Sequence, residues 1–279
     1  MIKARYFLLL FILSWALCRA TQAMEVVHFN SGVAPPTPFK LKRAKAKGLN
    51  IEQELGFPIL GHLSRPDREG RFAAIVMLHG CSGIYPSDIR WASQFVTWGY
   101  VVLVVDSLSP RSEFDVCKNP TTIISPHTRA LDAYGALAYL RTLPFVNPLK
   151  IAIAGWSHGG TASLIAMNPA DVTVQFEQRF KAVIAFYPYC LSGTVESPSL
   201  ILVGDSDEWA PHKQCEGIGI SELVVYPDTY HGFDVIELTE GITVEGMNGK
   251  QFRLLYNMQA HKNAVDRVER FLHTHLAND

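Results

Sequence analysis

Five consecutive residues, Gly155-Trp156-Ser157-His158-Gly159, place a serine between two glycines, each two positions away. A serine hydroxyl is a weak nucleophile until a base takes its proton and fixed donors hold the charge that develops on the attacked group. The G-x-S-x-G spacing fits such activation: at a sharp strand-to-helix turn the glycines let the two elements pass closely. The serine then stands exposed above the sheet, over a helix N-terminus. The flanks agree, with the β-type run 151–154 (IAIA) before the serine and the small residues 159–163 (GGTAS) after it. The backbone N–H of His158 faces any oxyanion formed there, while its ring should point away from the hydroxyl.

The base must be a histidine on a loop at the same edge of the sheet. His231, in YPDTYHGFD, lies five residues beyond an apolar run ending at Tyr226, and the adjacent Gly232 permits a turn that aims the ring inward. His212, after Pro211, reads as a helix start. A carboxylate must then fix the imidazole tautomer and stabilise the ring once it is charged. The loop LVGDSDEWAP offers two. Asp207 sits within the turn, three residues past Gly204, and is the preferred partner. Asp205 reads as a turn residue bonding its own backbone. A second oxyanion donor is expected from LHGCSG, 78–83, with the Cys81 N–H as the candidate. The Cys81 thiol itself is poorly placed to act as nucleophile.

These groups need a scaffold whose strand ends converge. Short, nearly continuous apolar runs occur at 72–78, 101–105, 151–154, 182–186, 199–203 and 222–226. Such runs suit strands covered on both faces of a parallel sheet. Residues 57–63 add an antiparallel edge strand that tolerates Pro58. Helical spacing appears between the runs: Ile89, Ala92, Phe95 and Val96 before Gly99; Leu131, Tyr134, Leu137 and Leu140 after Ser125-Pro126; and Val265, Val268, Phe271, Leu272 and Leu276. Ser125 before proline is an N-cap signature, and a helix should run from Gly160 to about Met167. Alternation of strand and helix predicts an α/β domain with helices on both faces of a mostly parallel sheet. Residues 20–56 carry little signal.

Composition narrows the partners. Lys3 and Arg5 precede an apolar run from Phe7 to Leu17, with Thr21 and Ala23 at the −3 and −1 positions of a cleavage site. Residues 1–23 thus read as a secretory signal peptide, too short to span a bilayer, and 24–279 as one domain exported to the periplasm or medium. Removing residues 1–23 takes away three basic groups and leaves 22 basic against 26 acidic ones, a net charge of −4. That balance argues against a nucleic-acid partner. The basic stretch 40–48 (KLKRAKAKG) reads as a solvated segment. Export leaves Cys81, Cys117, Cys190 and Cys215. An even number favours two disulfides, of which three pairings are possible. No cysteine pair has metal-ligand spacing, and no metal or cofactor is implied.

Together LHGCSGIYP, WGYVVLVVDSLSPR, AGWSHGG, FYPYC, VGDSDEWAP and YHGF make residues 55–279 resemble the dienelactone hydrolase family of α/β-hydrolases. The resemblance implies the α/β-hydrolase fold and an ester or lactone opened through an acyl-enzyme by a serine or cysteine triad. The family's namesake enzymes use a cysteine nucleophile and are cytoplasmic. Ser157 and an export signal depart from that pattern and point toward ordinary ester hydrolysis of a small-molecule acyl substrate. In the sheet so implied, FYPYC and DEWAPHKQC end neighbouring strands, which pairs Cys190 with Cys215 and leaves Cys81 with Cys117. Arg111 follows a strand end, where it could meet a substrate carboxylate or equally form a surface salt bridge. Tyr85, Trp156 and Trp209 are candidate walls of an acyl pocket. The rival readings are a ligand-binding protein that kept the fold without turnover, and a peptidase of the same fold. Oligomeric state is open.

Overall fold

Each core strand buries alternate residues on opposite faces, and the structure shows where both sets go. It is a computed structural model describing residues 24–276, except 34–35, 37, 50–54, 119–123, 172–175, 192, 194, 196–197 and 247–248. The expected signal peptide, residues 1–23, lies outside the described residues. Ten strands are present among them: β1 (Glu25–Asn30), β2 (Pro58–Ser64), β3 (Phe72–Leu78), β4 (Val101–Asp106), β5 (Val146–Trp156), β6 (Val183–Phe186), β7 (Ser199–Gly204), β8 (Glu222–Tyr226), β9 (Ile242–Glu245) and β10 (Gln251–Leu254). Five α-helices accompany them: α1 (Pro38–Ala46), α2 (Pro86–Thr97), α3 (Pro126–Thr142), α4 (His158–Ala166) and α5 (Met258–Leu276).

Eight strands form one sheet in the order β1-β2-β4-β3-β5-β6-β7-β8. Pairing is antiparallel from β1 to β2 and from β2 to β4, and parallel from β4 through β8. This is the α/β-hydrolase fold. On β3, Ala74, Val76 and Leu78 join a core with Tyr134 of α3 and Ile165 of α4. Ala73, Ile75 and Met77 join the opposite core with Phe95 of α2 and Phe271 of α5. Burial on both faces explains why these strands read as unbroken apolar runs rather than alternating ones.

Two expectations need correction. The strand over 57–63 exists as β2, but it is not the edge: β1 covers it, with Asn30 opposite Pro58. Its polar, half-exposed sequence EVVHFN hid β1 in the segment 20–56. Helix α4 starts at His158, two residues before Gly160, so the helix opens directly on the serine. A separate two-stranded sheet, β9 with β10, is not marked in the sequence because ITVE and QFRL are only four residues each. The basic stretch forms α1, none of whose residues is buried. Ser125 caps α3 by accepting a hydrogen bond from Thr128 N at 3.2 Å.

Candidate active site

Ser157 occupies the junction of β5 and α4 at φ 52° and ψ −117°. A left-handed backbone at a residue with a side chain costs roughly 1–3 kcal/mol, and the surrounding packing holds it there. A Cβ at Gly155 would lie 2.2 Å from Gly159 O, and one at Gly159 would lie 2.2 Å from Leu78 O. Neither position admits a side chain, which is the physical content of the glycine spacing around the serine.

The groups expected to activate the serine converge on it. Ser157 Oγ lies 2.9 Å from His231 Nε2, and His231 Nδ1 lies 2.7 Å from Asp207 Oδ2. A carboxylate only accepts, so Nδ1 carries the hydrogen and Nε2 is left to accept from the hydroxyl. The other Asp207 oxygen accepts from the backbone N–H groups of Trp209 and Ala210 at 2.9 and 2.8 Å. Three donors on one buried carboxylate fix its orientation. Asp205 is exposed and accepts from its neighbour Ser206 Oγ. His212 lies in a short 3-10 turn, 3.8 Å from Glu216.

The His158 ring turns toward Arg129, accepting at Nδ1 from the guanidinium at 3.0 Å. Burial, with Arg129 beside it, lowers its pKa to about 3, so the ring stays neutral. Its amide is the first of α4, and such an amide has no carbonyl within its own helix to bond. On the facing loop, Gly80 O accepts from His79 Nδ1 at 2.7 Å, with Arg129 Nη1 at 3.4 Å. Arg129 Nη2 also holds His79 O at 2.7 Å. In a trans peptide the N–H opposes the C=O, so pinning Gly80 O into the protein directs the Cys81 N–H the other way.

Both disulfides form as paired above. Cys81–Cys117 has its Cα atoms 5.0 Å apart and Cys190–Cys215 5.1 Å. The first ties the Cys81 loop to the segment after β4; the second ties the end of β6 to the loop following Asp207.

A cavity of about 610 Å³ opens over Ser157 and His231, and Cys81, Tyr85, Trp156 and Trp209 line it. Arg111 does not. Its guanidinium makes a bidentate pair with Asp132 Oδ2 and Oδ1 at 2.8 and 2.7 Å, with side chains 6% and 0% exposed. It also stacks over Phe57 at 4.5 Å. Arg111 is thus a buried structural cation, neither a substrate contact nor a surface salt bridge. A charge in the sequence carries no mark of the partner that will bury it.

Sequence reasoning also passed over Asp234, Tyr187, Arg129 and Asp88. Buried Asp234 accepts from Trp91 Nε1, Trp156 Nε1 and Tyr187 Oη at 2.7, 2.9 and 2.7 Å. It thereby joins α2, the end of β5 and the residue after β6 beneath the cavity. Tyr187 packs its ring 4.5 Å from that of His231. The quoted run YHGFD already contained Asp234, but a lone aspartate after an aromatic reads as a loop residue. Among the described residues, no group of three or more histidine, cysteine or acidic side chains is placed to hold a metal. Likewise, no helix is long and apolar enough to cross a membrane.

Asp88 lines the cavity near the start of α2, accepting from Tyr85 N at 2.7 Å. A helix N-terminus favours a carboxylate. Burial outweighs it, and with Asp234 nearby the Asp88 pKa rises from 3.8 to about 7. Between those values the folded protein keeps a proton that the unfolded chain has lost, so this group's contribution to stability falls as pH rises. Asp88→Asn keeps an acceptor for Tyr85 N–H and removes the ionisation. Its melting temperature should gain on wild type between pH 5 and pH 8, by an amount on the order of a few kcal/mol of stability. A pH-independent difference in calorimetric scans would contradict this account.

A family model described as "Dienelactone hydrolase family" matches residues 59–276. A Bradyrhizobium protein described as "Probable 2-oxo-3-(5-oxofuran-2-ylidene)propanoate lactonase" is 27% identical over 170 residues, 55% of this chain and 67% of its own. "Quorum-quenching protein AidA" of Acinetobacter baumannii is 31% identical over 129 residues, 46% of this chain and 39% of its own. Among solved structures, the dienelactone hydrolase-like promiscuous phosphotriesterase P91 from metagenomic libraries aligns with a TM-score of 0.66 at 15% identity. That alignment covers 91% of this chain and all of the other.

Proposed function

The chain belongs to the dienelactone hydrolase family, and from that premise we propose that it is a serine hydrolase acting on an ester or lactone through an acyl-enzyme. The observation that carries the reading is the hydrogen-bonded line from Ser157 Oγ through His231 to Asp207, at 2.9 and 2.7 Å, opening on the cavity. His231 Nε2 takes the serine proton as Oγ attacks the carbonyl carbon, and Asp207 stabilises the imidazolium. The carbonyl oxygen becomes an oxyanion held by the N–H groups of Cys81 and His158. When the tetrahedral intermediate collapses, the bond to the leaving oxygen breaks and His231 returns the proton to that oxygen. In a lactone the leaving oxygen stays attached to the acyl chain. Water, deprotonated by the same histidine, then attacks the acyl carbon and frees Ser157.

Two disulfides suit an oxidising compartment, and together with the signal peptide expected over residues 1–23 they support our proposal that the protein works outside the cytoplasm. No cofactor takes part in the proposed steps. Intact mass spectrometry after a fluorophosphonate probe tests the reading. Wild type should gain one adduct, Ser157→Ala none, and His231→Ala should react far more slowly. Folded, oxidised wild type that gains no adduct would refute it.

A further inference from the structure

The cavity lining combines an apolar wall with a set of charged groups. One wall is apolar: Val235 and Leu238, which follow His231, together with Ile242 and Val244 of β9 and Leu254 of β10. Trp209 steadies this wall by stacking on Phe252 of β10, with centroids 4.8 Å apart and planes at 7°. The charged lining is mostly acidic. Asp88 is buried, Asp115 and Glu245 are exposed, and Lys118 is the only cation among the described lining residues. The one arginine that the sequence offered to a substrate carboxylate, Arg111, is paired with Asp132.

Resting on the serine hydrolase reading, we infer that the cavity selects an uncharged ester or lactone whose apolar arm lies along β9 and β10, and rejects substrates bearing a carboxylate near the scissile bond. Burying a carboxylate is unfavourable unless its charge is compensated, and the single exposed Lys118 is outnumbered by three lining acids that raise the cost. An aliphatic or aromatic arm instead gains from leaving water at the apolar wall. The volume of about 610 Å³ lies in the range of small-ligand sites. Asp88 gives the discrimination a dependence on pH. The charged groups acting on it are Arg129 of α3, which favours its ionised form, and Asp234, which opposes it; burial opposes it most. With a pKa of about 7, Asp88 is mostly ionised at pH 8 and mostly neutral at pH 6.

The test compares 4-nitrophenyl esters of equal length, one ending in a methyl ester and the other in a free carboxylate. At pH 8 and low salt, wild type should favour the neutral ester by about tenfold or more in kcat/KM, since the three lining acids repel the added carboxylate and little salt screens them. The preference should narrow at pH 6. Glu245→Gln, a surface change, should weaken the preference yet keep its pH dependence, whereas Asp88→Asn should lose that dependence. Leu254→Ser should flatten the gain from lengthening an alkyl arm.

Calorimetric binding of both esters to Ser157→Ala separates this inference from the hydrolytic reading. Preferential binding of the neutral ester, with no turnover or adduct in wild type, would sustain the selectivity and sink the hydrolase reading. Equal or tighter binding of the carboxylate, or its faster hydrolysis by wild type, overturns the inference.

Discussion

Ser157→Ala should lower kcat/KM for any ester the protein cleaves by roughly 10⁴- to 10⁶-fold, while the melting temperature stays within a few degrees. The loss is large because the serine and histidine act as a unit through a 2.9 Å hydrogen bond. For the same reason His231→Ala should cost nearly as much, and the double variant little more than either single one. Asp207→Asn probes a different link. An amide can still accept from Trp209 N and Ala210 N, but it can also present N–H₂ to His231 Nδ1 and so favour the wrong tautomer. A drop of about 10⁴ in kcat with little change in fold is the expected result. Steady-state kinetics on a chromogenic ester, beside circular dichroism, checks all three. Retention of more than a hundredth of wild-type activity by Ser157→Ala would mean that another nucleophile does the work.

The second large effect is on stability. Asp132→Ala leaves Arg111 without its bidentate partner in a site where the two side chains are 6% and 0% exposed. It also removes a carboxylate whose field supports the buried Arg129 cation, already lowered by burial to about 10. Breaking a buried pair from one side typically costs about 3–5 kcal/mol, because the remaining charge is stranded. For a chain of this size that corresponds to a fall of about 10 °C in melting temperature. Arg129 holds His79 O and reaches Gly80 O, so the loop carrying Cys81 should loosen as well. Activity should therefore fall below what the melting curve alone explains. Adding Arg111→Met should restore part of the stability, since the stranded cation is then gone. An unchanged unfolding midpoint in Asp132→Ala would show that the pair is not an anchor.

Much of this arrangement is legible in the sequence, and the reasons are local. Runs such as VVLVV can only be satisfied by apolar cover on both faces, which dictates a sheet between helices. The glycines around Ser157 announce a close crossing, and the spacing beyond Gly204 separates Asp207 from Asp205. What stayed hidden depends on distant partners. Arg111, Arg129 and Asp132 look like any helix or loop charges until α3 is packed against the loops after β3 and β4. Strand β1 exposes most of one face, and β9 and β10, four residues each, are too short for their alternation to mark them. Asp234 gains meaning only when Trp91, Trp156 and Tyr187, from three separate elements, all reach it.

The small sheet of β9 and β10 stands apart from the eight-stranded one. It meets the rest of the molecule chiefly at its base, through the bridge of His231 with Leu254 and the stacking of Trp209 on Phe252. Part of the cavity wall, Ile242 and Val244 of β9, therefore lies on a stretch of chain separate from Ser157, Asp207 and His231. Hairpin side chains other than Leu254 and Phe252 can diverge with little disturbance to the triad, whereas those two are tied to it by the bridge to His231 and the stack on Trp209, whose N–H holds Asp207. Such modularity makes the hairpin a natural cassette for laboratory recombination, and gives a lineage a short path to new substrates through one exchangeable segment.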